Sequence, residues 1–225
     1  MEKGYFITAT DTGVGKTFIA SCLARALRDE GLKVGVMKPV ETGCPEEDGE
    51  PVPADTLMLK KAAGSNTPLD MVNPYRFTDP LAPGIAARKA GVEIDLGRIK
   101  AVHDMISREN DVTIVEGAGG LLVPLGEGIT MADLVLLLDL PLIIVAPTRL
   151  GCLNHTLLTY RYARDAGMDV RAVVLNRPDE RTDESQAYNA EELKRFGVPV
   201  KKELPFFKEG EPGSRLKEFT CGILR

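Results

Sequence analysis

The chain has 225 residues, 44% hydrophobic, 27% charged and 5% aromatic, which is enough apolar material for one large domain around a buried core. Its 22 Gly and 15 Pro exclude a coiled coil, and the hydrophobic fraction excludes a disordered tail. A formal net charge of −5 argues against nucleic acid or an anionic membrane as the main partner, so an anionic ligand must be held by local geometry.

Short apolar runs alternate with longer amphipathic stretches. Tyr5–Ala9 reads as the first strand. The residues before it, Met1-Glu2-Lys3-Gly4, carry no basic segment leading into a cleavable apolar stretch, which predicts a cytoplasmic protein. Thr17–Glu30 follows as a helix closed by Gly31, then Val34–Pro39 as the second strand. Gly43–Pro53, rich in Pro, Glu and Gly, reads as a solvated loop, and Asn66–Pro83 as a turn-rich stretch. In Asp95–Glu109, Leu96, Ile99, Val102 and Ile106 form a helical stripe behind an Asp95 cap, with His103 on a surface helix. Val112–Glu116, Leu142–Ala146 and Val170–Asn176 read as further strands. Leu153–Ala166 and Asp183–Phe196 read as helices closed by Gly167 and Gly197. The longest apolar runs, Leu134–Leu138 and Leu140–Ala146, are separated by Asp139 and are too short to span a bilayer. Lys208–Arg225 has weak periodicity and receives no assignment. Nearly continuous apolar strands are buried on both faces, and their alternation with helices predicts one α/β domain over residues 1–225 with a mostly parallel sheet.

Four cysteines, Cys22, Cys44, Cys152 and Cys221, lie far apart with no C-x-x-C pair. They read as buried or free thiols in a reducing compartment rather than as disulfides or zinc ligands.

The strongest motif is Ala9-Thr10-Asp11-Thr12-Gly13-Val14-Gly15-Lys16-Thr17, set between the first strand and the first helix. Small residues let backbone N–H groups approach phosphate oxygens, the helix N-terminus adds partial positive charge, Lys16 can reach the terminal phosphates and Thr17 can ligate Mg²⁺. Thr10 stands where the strict phosphate-loop pattern has its first Gly, so a plain tight turn is the competing reading. Glu116 ends a strand ahead of Gly117-Ala118-Gly119-Gly120. A carboxylate there faces the crevice where α/β ligands bind, and the glycines offer N–H groups; the alternative is a flexible turn with an exposed Glu. Lys38 occupies the equivalent strand end. Taken singly, Lys38 is a surface cation, Asp55 a helix cap, Asn176 a turn former and Pro205-Phe206-Phe207 core.

Taken together, these stretches resemble the dethiobiotin synthetase family. The likeness runs from Tyr5-Phe6-Ile7-Thr8 through Thr10–Thr17, Lys38-Pro39-Val40, Asn73-Pro74-Tyr75, Val115–Gly120 and Leu150-Gly151-Cys152-Leu153-Asn154-His155 to Asn176 and Leu204-Pro205. It implies a phosphate-loop NTPase fold and closure of a ureido ring from 7,8-diaminopelargonate, CO₂ and ATP. The expected order is a carbamate, then its phosphorylation, then attack of the second amine. By the same resemblance Lys16 and Lys38 are the catalytic cations, and Thr17, Asp55 and Glu116 the Mg²⁺ ligands. The nucleotide set is Thr12, Gly13, Val14, Gly15, Lys16, Thr17, Phe18, Asp55, Glu116, Gly117, Ala118 and Gly119, with Asn176, Arg177, Pro205, Phe206 and Phe207 around the base. The substrate set is Thr42, Gly117, Ala118, Gly119, Gly120 and Gly151, with Asn154 and Tyr188 supplied across a homodimer. Such a site works by positioning and electrostatics, consistent with a chain of only two histidines and no nucleophile triad.

The chain departs from the family pattern at Ala9 (usually Gly), Thr42 (commonly Ser) and Gly84 (frequently His). Two other classes compete. A partitioning-type ATPase needs a second Lys early in its loop and often a terminal amphipathic helix, whereas here the loop begins Thr10-Asp11-Thr12 and Leu216–Arg225 is weakly amphipathic. A cobalamin-type amidotransferase needs a further glutaminase region, for which these 225 residues leave no room.

Overall fold

Residues 3–207 and Ile223 are described by the computed structural model of the chain. In chain order its elements are β1 (Gly4–Ala9), α1 (Lys16–Asp29), β2 (Val34–Met37), β3 (Val40–Thr42), β4 (Glu46–Glu47), β5 (Glu50–Pro51), α2 (Ala54–Ala63), α3 (Leu69–Val72) and β6 (Tyr75–Phe77). There follow α4 (Pro83–Lys89), α5 (Leu96–Glu109), β7 (Val112–Gly120), β8 (Pro124–Gly126), β9 (Ile129–Thr130), α6 (Met131–Leu138) and β10 (Leu142–Pro147). The described chain ends with α7 (Cys152–Asp165), β11 (Val170–Asn176), a 3₁₀ turn at Glu184–Ala187, α8 (Asn189–Arg195) and β12 (Val200–Leu204).

Six strands form one parallel sheet in the order β12-β11-β10-β1-β7-β2. Neighbouring residues on each strand enter opposite cores. Phe6, Val115, Ile144 and Val173 pack with α5, α6, α7 and α8. Tyr5, Ile7, Ile114 and Val145 pack with α1 and α2 on the other face. This double burial is why the strands read as unbroken apolar runs. The connection from β1 leads toward β2 on one side, and that from β10 leads to β11 on the other. A reversal of this kind opens a crevice at the carboxyl ends of the strands.

Several boundaries differ from the sequence reading. The second strand stops at Met37, because the Lys38 N–H donates to the Val72 carbonyl (2.8 Å) rather than to the sheet, and Pro39 has no N–H to give. The third expected strand, β7, runs past Glu116 to Gly120, so the glycines belong to the strand rather than to a loop, with Gly119 left-handed at φ 66°. The expected solvated loop holds the small β4–β5 ladder, and the turn-rich stretch holds α3 and β6, the latter pairing in parallel with β3. Asp183–Phe196 divides at Tyr188: Asp183 caps the 3₁₀ turn by accepting from Ser185 N, and α8 restarts at the buried Asn189.

His103 is buried, not on the surface. Position 103 lies four residues after Ile99 and three before Ile106, on the apolar stripe itself. Its Nε2 lies 3.2 Å from the Ser107 hydroxyl, which in turn meets the Thr113 hydroxyl at 3.1 Å, and burial lowers its pKa. Asp95 does cap α5, accepting from Gly97 N and Arg98 N. Cys22, Cys44 and Cys152 are buried free thiols, while Cys221 and the segment 208–222 lie outside the described residues. Among the described residues, no helix is long and apolar enough to cross a membrane.

Candidate active site

The loop between β1 and α1 closes on a glycine because the backbone there is left-handed. Gly15 has φ 100°, and a Cβ at that position would run into the Asn176 amide. As the N-cap of α1, Gly15 offers no side-chain acceptor, and no acidic residue follows in the first turn. The first N–H groups of α1 are therefore free to face an anion, with the helix dipole behind them. Asp11 stiffens the loop by accepting from Thr12 N at 2.7 Å. Ala9, the first departure, lies in β1 at negative φ, where Ala is unstrained.

Beside this loop sits a buried cluster of charges. Glu116 is 0% exposed at the mouth of β7, and Lys38 is 3% exposed just beyond β2, so the exposed-Glu and surface-Lys readings fail. The Lys38 ammonium donates to Glu116 Oε1 and, at 3.0 Å, to Asp55 Oδ2 in the first turn of α2. The Thr17 hydroxyl donates to the same Glu116 oxygen at 2.8 Å. Burial alone would depress the Lys38 pKa, but Glu116 and Asp55 outweigh it and hold the ammonium above its ordinary value. Burial pushes the Glu116 carboxyl up, against the pull of Lys38 and Thr17. Lys16 is treated differently. Burial first, then the nearby Lys38 charge, lower it to about 8, and its ammonium donates to the Asp11 carbonyl at 3.4 Å.

A cavity of about 610 Å³ joins these groups. Of the sequence-derived residues it is lined by Thr12, Gly13, Gly15, Lys16, Thr17, Lys38, Thr42, Asp55, Glu116, Ala118 and Gly119. Thr17, Asp55 and Glu116 bring three hard oxygen donors to one wall. Glu116 Oε2 is buried with no hydrogen-bond partner among the described residues, so this donor set fits a hard divalent cation. Gly84, for which the sequence suggested no reason, packs against the backbone of β8. A Cβ there would lie 3.0 Å from the Leu125 carbonyl carbon and 3.1 Å from the Pro124 oxygen, so any side chain would need the β8 backbone to give way by a few tenths of an ångström.

The expected base-binding residues gather at the neighbouring strand ends. Asn176 pairs with Leu204 across β11 and β12, which sets Pro205, Phe206 and Phe207 on the same edge. The Asn176 amide donates to the Val14 carbonyl at 2.8 Å, tying this edge to the phosphate loop. Phe207 stacks on Phe18 of α1 with centroids 5.8 Å apart. Arg177 turns to a separate hollow of about 340 Å³ and donates to the Glu180 carbonyl.

Gly151, Asn154 and Tyr188 do not line the main cavity. Gly151 caps α7 at φ 92° without a side-chain acceptor, Asn154 is exposed on the first turn of that helix, and Tyr188 is 62% exposed. Gly120 faces an adjoining hollow of about 550 Å³ that shares Thr12 and Val123 with the main cavity and is walled by Leu122, Leu158 and Tyr162. Glu41 was not singled out in the sequence, yet it lines the main cavity and is buried. The signal was there: α2 begins Pro53-Ala54-Asp55, with no Ser, Thr, Asp or Asn at the cap, so its first N–H groups need an acceptor from elsewhere.

Among known proteins, a family profile described as an AAA domain matches residues 3–208. An ATP-dependent dethiobiotin synthetase BioD from Thermodesulfovibrio yellowstonii is 37% identical over 93% of this chain and 91% of its own. One from Bacillus licheniformis is 41% identical over 93% and 88%. In three dimensions the chain superposes on the septum site-determining protein MinD of Pyrococcus horikoshii with TM-score 0.61 and 18% identity, covering 100% of this chain and 95% of that one. A ParA family ATPase from Chlorobium tepidum gives TM-score 0.58 at 18% identity, covering 100% and 91%. These two solved structures establish the phosphate-loop ATPase fold.

Proposed function

Because the chain belongs to the ATP-dependent dethiobiotin synthetases, ligases of biotin biosynthesis, we propose that it forms the ureido ring of dethiobiotin from 7,8-diaminopelargonate, CO₂ and ATP in the cytoplasm. One amine nitrogen attacks CO₂ and loses a proton, giving a carbamate. A carbamate oxygen takes the γ-phosphoryl group and ADP leaves. The second amine then attacks the carbamoyl carbon, phosphate departs and a proton is released. Each stage develops negative charge near the transferred group, so the protein's task is to place cations and N–H donors there.

The observation that carries this reading is the arrangement around Lys38. It is buried, held charged between Asp55 and Glu116, and opens onto the same cavity as Lys16 and the uncapped start of α1. Lys16 and the α1 N–H groups would hold the terminal phosphates, and Lys38 would neutralise the carbamate and the phosphoryl oxygens. Thr17, Asp55 and Glu116 would hold Mg²⁺, which would supply charge neutralisation for the phosphates. Neither histidine lines the cavity, in keeping with a reaction that needs no protein nucleophile. The base would lie against Asn176 and Pro205–Phe207, and Arg177, which faces its own hollow in this structure, would have to turn toward it.

The diamine would enter beside Thr42 and Gly117–Gly120. Its carboxylate would be met by Gly151, Asn154 and Tyr188 of a second copy in a homodimer. Two features support that arrangement: the α7 N-terminus has no acidic residue in its first turn, and Leu122, Leu150, Leu158 and Tyr162 expose apolar surface beside it. The deciding experiment is phosphate release from ATP with diamine and bicarbonate supplied singly and together. Release requiring both, with dethiobiotin formed in equal amount, is expected; release that ignores the diamine would refute the reading.

A further inference from the structure

Helix α2 carries Asp55 but cannot cap itself. Its N-cap is Pro53, which makes no side-chain hydrogen bond. The donors that an ordinary capping side chain would satisfy are the N–H groups of the second and third helical residues, Asp55 and Thr56. Both go to Glu41, a residue of β3 fourteen positions earlier: Asp55 N donates to Oε1 at 2.9 Å and Thr56 N to Oε2 at 3.0 Å. The Thr56 hydroxyl adds a third bond to Oε2 at 2.6 Å. Glu41 is 6% exposed and Thr56 is fully buried, so these bonds are sheltered from water.

A carboxylate here also meets the positive end of the helix dipole. The result is a rigid strut from β3 to the first turn of α2. Its two ends adjoin active-site groups: Thr42 follows Glu41 in β3, and Asp55, whose N–H is held, reaches Lys38 through its own carboxylate.

We propose that Glu41 is a positioning residue for the ligase reaction, fixing the start of α2 so that Asp55 faces Lys38 and the metal-binding wall. The proposal rests on the reading of Asp55 given above. Residues that orient ligand-bearing groups typically alter metal affinity or activity by about 10–100-fold when removed.

The test compares E41A, E41Q and D55N with the parent protein, using calorimetric binding of a non-hydrolysable ATP analogue with and without Mg²⁺. In E41A the tightening produced by Mg²⁺ should fall by about tenfold, while the Mg²⁺-free affinity stays that of the parent. E41Q keeps a carbonyl acceptor but sets an NH₂ group against an N–H donor, and should fall between. In turnover, E41A should lower kcat by about tenfold, yet add little in the D55N background, since both changes remove the same function. A parental Mg²⁺ response in E41A, alongside a lost response in D55N, would overturn the role of Glu41 alone. A parental response in D55N would overturn the reading of Asp55, and this proposal with it. A rise confined to KM for the diamine would make Glu41 a substrate contact and likewise overturn positioning. Should E41A fail to fold, E41Q and T56V, which removes only the hydroxyl bond, carry the same readouts.

Discussion

The two sides of the proposed site are built on opposite plans. Around β1, β7 and β2 the functional groups are buried or half-buried and already in contact: Lys38 with Asp55 and Glu116, Thr17 with Glu116, Asn176 with the phosphate loop. Around α7 and the 3₁₀ turn they are exposed: Asn154 and Tyr188 face outward, and Leu150, just before α7, and Leu158, within it, are 81% and 62% exposed. A buried charge cluster can be completed inside one subunit, because its charges neutralise one another as the chain folds. An exposed tyrosine and asparagine can serve the proposed site only if a second copy brings them to it. The difference separates what one chain does alone from what the proposed pairing of two chains adds.

The largest effects should come from the buried side. Lys16→Met and Lys38→Met each remove a cation from the developing phosphoryl charge, and each should lower dethiobiotin formation by roughly a hundredfold or more. Their effects on stability should have opposite signs. Lys38→Met leaves Glu116 buried without the ammonium that donates to it and should destabilise the protein by about 3 kcal/mol, read by denaturant unfolding. Lys16→Met removes an ammonium that burial and Lys38 disfavour, so the nucleotide-free protein should melt higher. Parallel losses of stability in both variants would show that the two lysines are not held in the different environments described.

On the exposed side, Asn154→Ala and Tyr188→Phe should each raise KM for the diamine by about tenfold, the scale of a lost hydrogen bond to a charged group, and leave stability unchanged. Steady-state kinetics with melting curves checks both halves of that statement. A change in kcat with no change in KM would remove these residues from substrate binding.

A smaller effect sharpens the contrast between the lysines by pH. The folded-state pKa of Lys16 is about 8 against an ordinary 10.5, so between those values the unfolded chain binds more protons. Stability of the nucleotide-free protein should therefore rise with pH through this window by way of Lys16, and Lys16→Met should remove that contribution. Denaturant midpoints of the two proteins at about pH 7.5 and about pH 9.5 supply the check. Identical slopes against pH would contradict the depressed pKa.

The buried side was also the more legible in sequence. Phosphate binding demands small residues, a Lys and a hydroxyl in adjacent positions at one strand–helix junction, so Gly13–Thr17 declares itself locally. The central strands were visible because double burial leaves few polar residues in them, such as Thr8 in β1 and Thr113 in β7. What stayed hidden depends on contacts distant in sequence. Glu41 acts only because β3 passes the start of α2, His103 is buried only because its helix stripe is wider than four apolar residues suggest, and Tyr188 marks a break that periodicity across Asp183–Phe196 does not register. Likewise the reason for Gly84 is the backbone of β8, some forty residues further along the chain.

The central claim, a site preassembled within one subunit and completed by the next, is tested most directly by mixing two defects. One subunit carries Lys16→Met, and its partner carries Asn154→Ala with Tyr188→Phe. In a two-fold dimer each defect then falls on the same or on the opposite site according to which chain supplies which residues. If the outward-facing residues serve the neighbouring subunit, both defects fall on one site and the other is intact. Purified mixed dimers should then form dethiobiotin at about half the parental rate per dimer, while both defective homodimers remain impaired. Mixed dimers no more active than the average of the two defective homodimers, or full activity in a protein that sediments as a monomer, would contradict the account.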